Sequence, residues 1–272
     1  MNHFKRKLLS LSTLCCLMNA HAAEVNFNAE APSKWSLEWG WNNESYAKSD
    51  IHFKGIDHQF TLFGVRGTDT QKTLTPQTLF NTYLNPGRIT IPQTNARIAY
   101  QFNTDAALAL NLDHMKYVVA DGQTVSASGQ YLQKNYLASG QQYLSPAFMH
   151  YEHTDGLNVI SIEYEKKYPI TAMPANLKAR FFTLVGAGIV IPKSNITMTM
   201  VGQVRNDKFH LAGTNLDLAG GLEVDFSKDY FVRTTYKVGR VNLSDVITSA
   251  RQDKASQKIN YQEASLTLGL RF

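Results

Sequence analysis

Apolar and polar residues alternate with a period of two in one segment of the chain after another. Ala264, Leu266, Leu268, Leu270 and Phe272 share one face, against Ser265, Thr267, Gly269 and Arg271. Leu216, Leu218, Gly220, Leu222, Val224 and Phe226 stand against Asp217, Gly221, Glu223 and Asp225. The same reading holds for Ala96, Ile98, Tyr100 and Phe102 against Asn95, Arg97 and Gln101, and for Leu108, Leu110 and Leu112 against Asn111 and Asp113. Trp35, Leu37, Trp39 and Trp41 oppose Glu38 and Asn42. A period of two is the side-chain repeat of a β-strand. The pattern predicts strands near 35–46, 58–68, 93–102, 106–119, 149–165, 177–191, 209–226, 230–242 and 258–272. A chain that enters and leaves a closed barrel on one side needs an even number of strands, so about ten are expected, within a range of eight to twelve. The further strand is sought between Thr70 and Pro92, where a short helix from Pro76 to Leu84 is the alternative.

A soluble antiparallel sandwich also alternates, so the choice between sandwich and membrane barrel rests on other features. The expected strand ends carry Phe102, Tyr164, Phe226, Tyr230 and Phe272 at one level, which would form an aromatic girdle at a membrane interface. Asn103-Thr104-Asp105 and Ser227-Lys228-Asp229 are tight turns, whereas residues 121–146, 193–208 and 243–257 look like long polar loops. Short turns on one side and long loops on the other are the habit of outer-membrane barrels. The alternating run that ends on Phe272 resembles the C-terminal signal read by the barrel assembly machinery, which is therefore an expected partner. The fold class expected is all-β, a transmembrane antiparallel up-and-down β-barrel, placed among outer-membrane lipids and lipopolysaccharide.

The N-terminus fits this location. Lys5, Arg6 and Lys7 precede a mostly apolar run from Leu8 to Met18, followed by Ala20-His21-Ala22. This reads as a signal peptide over 1–22, leaving a barrel domain over 23–272. The run is too short to span a bilayer as a helix. Cys15 and Cys16 both lie in it, so the mature chain has no disulfide framework and no thiolate metal site. Without the three leading basic residues the net charge falls from +5 to +2, which gives no footing for nucleic-acid binding.

A charge facing lipid at mid-membrane costs roughly 2–4 kcal/mol. Arg97, Arg180, Arg233, Lys237 and Arg271 are therefore expected to point inward, alongside Glu38, Asp113, Glu163, Asp217, Glu223, Asp225 and Glu263. A barrel of eight to ten strands is narrow enough for side chains to fill. Mixed charges in such a lumen pair with one another rather than holding open a wide pore.

Two stretches carry more chemistry than a strand requires, residues 113–118 (DHMKYV) and 152–158 (EHTDGLN). They flank the segment 121–146 and are expected on antiparallel neighbours. Asp113, His153 and Asp155 share inward parity, and Ser161 lies on the same face. A histidine between carboxylates could act as a general base oriented by an acid. It could equally join a metal site with nitrogen and oxygen ligands. A polar network pinning the two strands accounts for the same residues. Neither an HExxH motif, a phosphate-binding loop nor a calcium loop is present, and no cofactor is implied.

These strings, with WGWN (39–42), KSDIHFKG (48–55) and NPGRITIPQTN (85–95), resemble those of an uncharacterised family of Gram-negative outer-membrane β-barrel proteins. That resemblance implies fold and location, and no activity. A second similarity is to lipid A deacylases, small outer-membrane barrels with a His-x-Ser motif and a downstream Glu on an outward-facing groove. Here His153-Thr154-Asp155 and Glu163 occupy those places, with Asp155 where the nucleophilic serine would stand. The candidate site residues are thus Asp113, His153, Asp155 and Glu163. The readings that follow are a barrel with a filled lumen, a lipopolysaccharide-modifying hydrolase, or a narrow channel.

Overall fold

The computed structural model describes residues 33–70, 75–85, 88, 92–132, 134–136, 140–171, 174, 177–204 and 206–272. The expected signal peptide, residues 1–22, lies outside them. Eight strands close into an antiparallel ring: β1 (Trp35–Tyr46), β5 (Thr94–Gln101), β6 (Ala106–Val119), β10 (His150–Ile170), β11 (Lys178–Thr197), β13 (Gly213–Asp225), β14 (Tyr230–Ile247) and β15 (Lys254–Arg271). Closure is made by β15 on β1, in register from Ser36↔Arg271 to Tyr46↔Tyr261. The backbones of Trp35 and Phe272 exchange hydrogen bonds at 3.0 and 3.2 Å. A closed ring leaves no ladder edge unpaired.

The ring has eight strands, the lower end of the expected eight to twelve, because the segment expected at 58–68 pairs outside the ring and the strand sought between 70 and 92 does not form among the described residues. β2 (Ser49–Lys54), β3 (His58–Val65) and β7 (Gln123–Tyr131) extend the sheet sideways from the far half of β15, with β8 (Lys134–Tyr136) and β9 (Gln141–Leu144) on β7. Gly67–Thr68 forms a two-residue strand, β4, on β6. Between Thr70 and Pro92 the described residues form no strand. Pro76–Thr78 is helical and continues as a π-helical turn over Leu79–Tyr83. Thr75 caps it: its hydroxyl accepts from the Thr78 amide at 3.1 Å, and Thr78 Oγ1 accepts from the Thr75 amide at 2.8 Å. Proline at the first helical position favours the same start.

The tight turns at 103–105 and 227–229 lie at one end of the ring, as expected, together with the paired ends of β10 and β11 at Ile170 and Ala179 and the Trp35/Phe272 closure. The segments expected as polar loops at the other end are instead largely strand. β10 and β11 run for 21 and 20 residues, and β14 and β15 for 18 each. A tilted strand needs about 9–11 residues to cross a bilayer, so these strands are nearly twice that length.

The two halves of each long strand obey opposite patterns. On β15 the outward row reads Lys254, Ser256, Lys258, Asn260 and Gln262, then Ala264, Leu266, Leu268 and Leu270. Its inward row reads Ala255, Gln257, Ile259 and Tyr261, then Glu263, Ser265, Thr267, Gly269 and Arg271. β14 inverts at the same level: Tyr230, Val232, Thr234, Tyr236 and Val238 face out before Arg240, Asn242 and Ser244, and Val238 pairs with Gln262. On β6 the outward row passes from Leu108, Leu110 and Leu112 to His114 and Lys116, while the inward row passes from Asn111 and Asp113 to Met115, Tyr117 and Val119. The near half of the ring is thus apolar outside and charged inside. The far half is polar outside, with an apolar core inside. That core packs Ile51, Phe53, Phe60 and Leu62 of the sideways extension against Tyr117, Tyr151, Ile196, Leu243 and Ile259 of the ring. Phe53 stacks on Phe60 at 4.8 Å and meets Tyr151 edge-on at 5.8 Å.

Candidate functional site

The near half of the lumen is occupied by a lattice of ion pairs, and two arginines hold its centre. Arg97, on the inward row of β5, donates to Glu38 of β1 at 2.6 Å and to Glu163 and Glu165 of β10 at 2.8 Å each. Arg233 of β14 reaches Glu165, Glu223 and Glu38, and lies over the Phe182 ring with 3.5 Å to its centroid. Toward the turn end, Glu223 of β13 collects Lys167 at 3.0 Å, Arg180 at 3.0 Å and Arg271 at 2.6 Å. Toward the far half, Lys237 bridges Asp113 at 2.6 Å and Glu163 at 3.3 Å. The charges expected inward on the cost of facing lipid, from Arg97 and Glu38 to Arg271 and Glu263, all lie on the lumen side. The arginines' planar forks suit such multiple pairing, where a point-like ammonium would satisfy fewer carboxylates at once.

The lattice leaves little open space. A void of about 10 Å³ lies between Glu38, Arg97, Lys237 and Glu263, room for about one water. Glu263 lines it, and both of its carboxylate oxygens are buried without a hydrogen-bond partner. Among the described residues, no group of three or more His, Cys, Asp or Glu side chains is placed to hold a metal ion.

The candidate residues separate onto different partners. Asp113 and Glu163 belong to the lattice, held by Lys237 and, for Glu163, by Arg97. Asp113 also accepts from the Asn95 side-chain amide. His153 is buried in the far half of β10, beyond the outward apolar row that begins at Ile160. Its Nδ1 is 2.8 Å from Ser194 Oγ, and its ring packs at 6.1 Å from Tyr117 and 5.1 Å from Tyr151. Burial lowers its pKa from the ordinary 6.5 to about 3, so the imidazole is neutral. Asp155 corrects the sequence expectation. It points outward and accepts from Lys193 at 2.7 Å. The cause is a bulge: the pairing shifts register between His153 and Leu157, and Gly156 sits at φ +124°. Four residues of β10 span what two span on β6, so His153 and Leu157 both face inward and only the residues inside the bulge, Asp155 among them, leave the parity that counting in twos assigns. Ser161 keeps the inward parity expected of it.

Two lattice members went unrecognised in the sequence, Glu165 and Lys167. Both continue the inward row of Ser161 and Glu163, but the expected strand ended at 165. Tyr164 and Tyr168 continue the outward row, but Lys166 between them interrupts the alternation and hides it.

No protein-family model matches the chain. No curated sequence matches it either. Three solved structures can be set beside it. The attachment invasion locus protein Ail of Yersinia pestis is 12% identical, over 89% of this chain and 99% of its own, with a TM-score of 0.35. Neisserial surface protein A is 10% identical, over 89% and 100%, with a TM-score of 0.38. The outer membrane protein OprG from Pseudomonas aeruginosa is 7% identical, over 89% and 96%, with a TM-score of 0.39.

Two outcomes follow. Arg97→Ala removes the buried partner that Glu38, Glu163 and Glu165 share and should cost about 3–5 kcal/mol, whereas Asp155→Ala removes an exposed pair and should cost less than about 1 kcal/mol. Urea unfolding of the two variants in vesicles measures both, and comparable losses would contradict the separation described here. The second concerns pH. A folded-state histidine pKa below its unfolded value contributes stability that is present above pH 6.5 and is lost as pH falls toward 3, by up to about 1.4 kcal/mol per unit. Between pH 6.5 and 4.5 the wild type should therefore lose about 2–3 kcal/mol more than His153→Gln; equal losses would mean the imidazole is not held neutral.

Proposed function

We propose that the chain is an integral barrel of the Gram-negative outer membrane, delivered by removal of residues 1–22 and inserted by the barrel assembly machinery. On this reading it is a sealed wall that carries a β-sheet extension on the outer side. The observation that carries it is the common level at which the strands exchange their inner and outer polarity. An outward belt of Leu37, Ile98, Leu110, Ile162, Val185, Leu218 and Leu268 suits hydrocarbon. Trp35, Phe102, Tyr164, Phe181, Phe226, Tyr230 and Phe272 rim its turn end, as aromatic residues do at a membrane interface. An exposed apolar surface this extensive is unsuited to water.

A sealed lumen turns attention to the outside. A channel would need a wet path through the Arg97 and Arg233 lattice and then through the apolar core of the far half. A deacylase of the His-x-Ser kind would need its histidine and nucleophile on one outward groove, whereas His153 faces the interior and Asp155 the exterior. What ligands can reach is the outer wall and the extension.

The reading is tested by two arginine substitutions on one outward row. Leu268→Arg should cost about 2–4 kcal/mol in a bilayer, and Asn260→Arg about 0–1 kcal/mol. Planar-bilayer recordings of the wild type should show no ohmic steps. Equal costs for the two variants would overturn the membrane placement, and steady conductance would overturn the seal.

A further inference from the structure

Two grooves lie one above the other on the outer wall, where β13, β14 and β15 meet the chain that leaves β1. The lower, about 710 Å³, has an apolar floor of Val185, Leu216, Leu218 and Val238 and a polar upper rim of Ser45, Asn260 and Gln262. The upper, about 610 Å³, opens between β2, β14 and β15 and presents Lys48, Arg240 and Lys258. Arg240 lines both. The lower floor lies in the apolar belt, and the cations stand just beyond the level where outward residues turn polar, since Arg240 pairs with Asn260.

These three cations are exposed, and none has a carboxylate partner among the described residues. Their surroundings make that unusual. Lys254, on the same outward row of β15, pairs with Asp245 at 2.6 Å, and Arg251 in the adjoining turn pairs with Asp57 at 2.7 Å. Asp50, the acid that lines the upper groove, accepts from the Gly64 amide at 2.7 Å. Three positive charges against one negative favour an anion, and a guanidinium fork matches a phosphate in two-pronged geometry. A free anion has no use for the apolar floor directly below, and a neutral lipid has no use for the cations above.

We propose that this double groove binds a phosphorylated, acylated glycolipid of the outer leaflet. Its phosphate sits on Arg240, flanked by Lys48 and Lys258. An acyl chain runs over Leu216, Leu218 and Val238, and the sugar hydroxyls and amides meet Asn260 and Gln262. This site rests on the membrane placement proposed above.

The test uses the full-length mature protein in phosphatidylcholine nanodiscs, with graded amounts of bis-phosphorylated lipid A. Bound lipid is read by native mass spectrometry, and insertion by heat-modifiable gel mobility in the same samples. Wild type should retain lipid A in preference to its dephosphorylated form, and inorganic phosphate alone should not compete. Arg240→Gln combined with Lys258→Gln should weaken retention about tenfold or more, while Lys254→Gln, at a paired lysine of the same face, should leave it unchanged. Equal retention by the inserted double variant, equal retention of dephosphorylated lipid A, or full competition by phosphate would overturn the site. Failure of the wild type to insert would instead overturn the membrane reading beneath it.

Discussion

Side chains on the long strands meet one environment on the near half of the ring and the opposite one on the far half. Outward positions on β15 are polar down to Gln262 and apolar from Ala264, and inward positions change the other way between Tyr261 and Glu263. A wall one residue thick has no other solution when its outside passes from water to hydrocarbon. Where the outside is apolar, the inside holds the polar groups; where the outside is polar, the inside must supply the apolar burial that holds the far half together. The lengths of β10, β11, β14 and β15, the sideways extension and the ion lattice all follow from this arrangement.

The lattice is the demanding half of the design. Taking charges out of water is expensive, and buried ion pairs add little net stability over apolar residues of like shape. Their effect is mutual locking: Arg97 and Arg233 share Glu38 and Glu165, so no carboxylate can move without stranding another group. A narrow eight-stranded ring makes such filling possible. Above it, Met115, Tyr117, Leu157 and Ile259 close the lumen with hydrocarbon. The lumen is filled twice over, by opposite chemistries.

Much of this was legible in the sequence, and the failures have physical causes. The inward charges were placed correctly because a period of two and a large penalty for charge in lipid leave each one a single choice. Segments 121–146, 193–208 and 243–257 look like loops because polar residues dominate them, and on β7 the inward residues are small. Val125 and Ala127 between Thr124, Ser126 and Ser128 give a faint alternation. The strand count overshot because β3 pairs with β2 and β7 rather than within the ring, a matter of partner choice that local pattern does not encode. Asp155 was misplaced by the Gly156 bulge, for which Asp155-Gly156 was the available hint. The groove that presents Lys48, Arg240 and Lys258 had no sequence signal, because these residues are distant in the chain and only the fold brings them together.

Spin labels can follow the inversion of faces along β15. Residues 23–272 contain no cysteine, so single cysteines at 254, 256, 258, 260, 262, 264, 266, 268 and 270 can each carry a nitroxide in lipid nanodiscs. Collision with a polar nickel reagent and with oxygen then reports water and hydrocarbon separately. The account predicts nickel-dominated contact through 262 and oxygen-dominated contact from 264 onward, with a sharp exchange between them. Nickel-dominated contact persisting at 266 and 268 would contradict it.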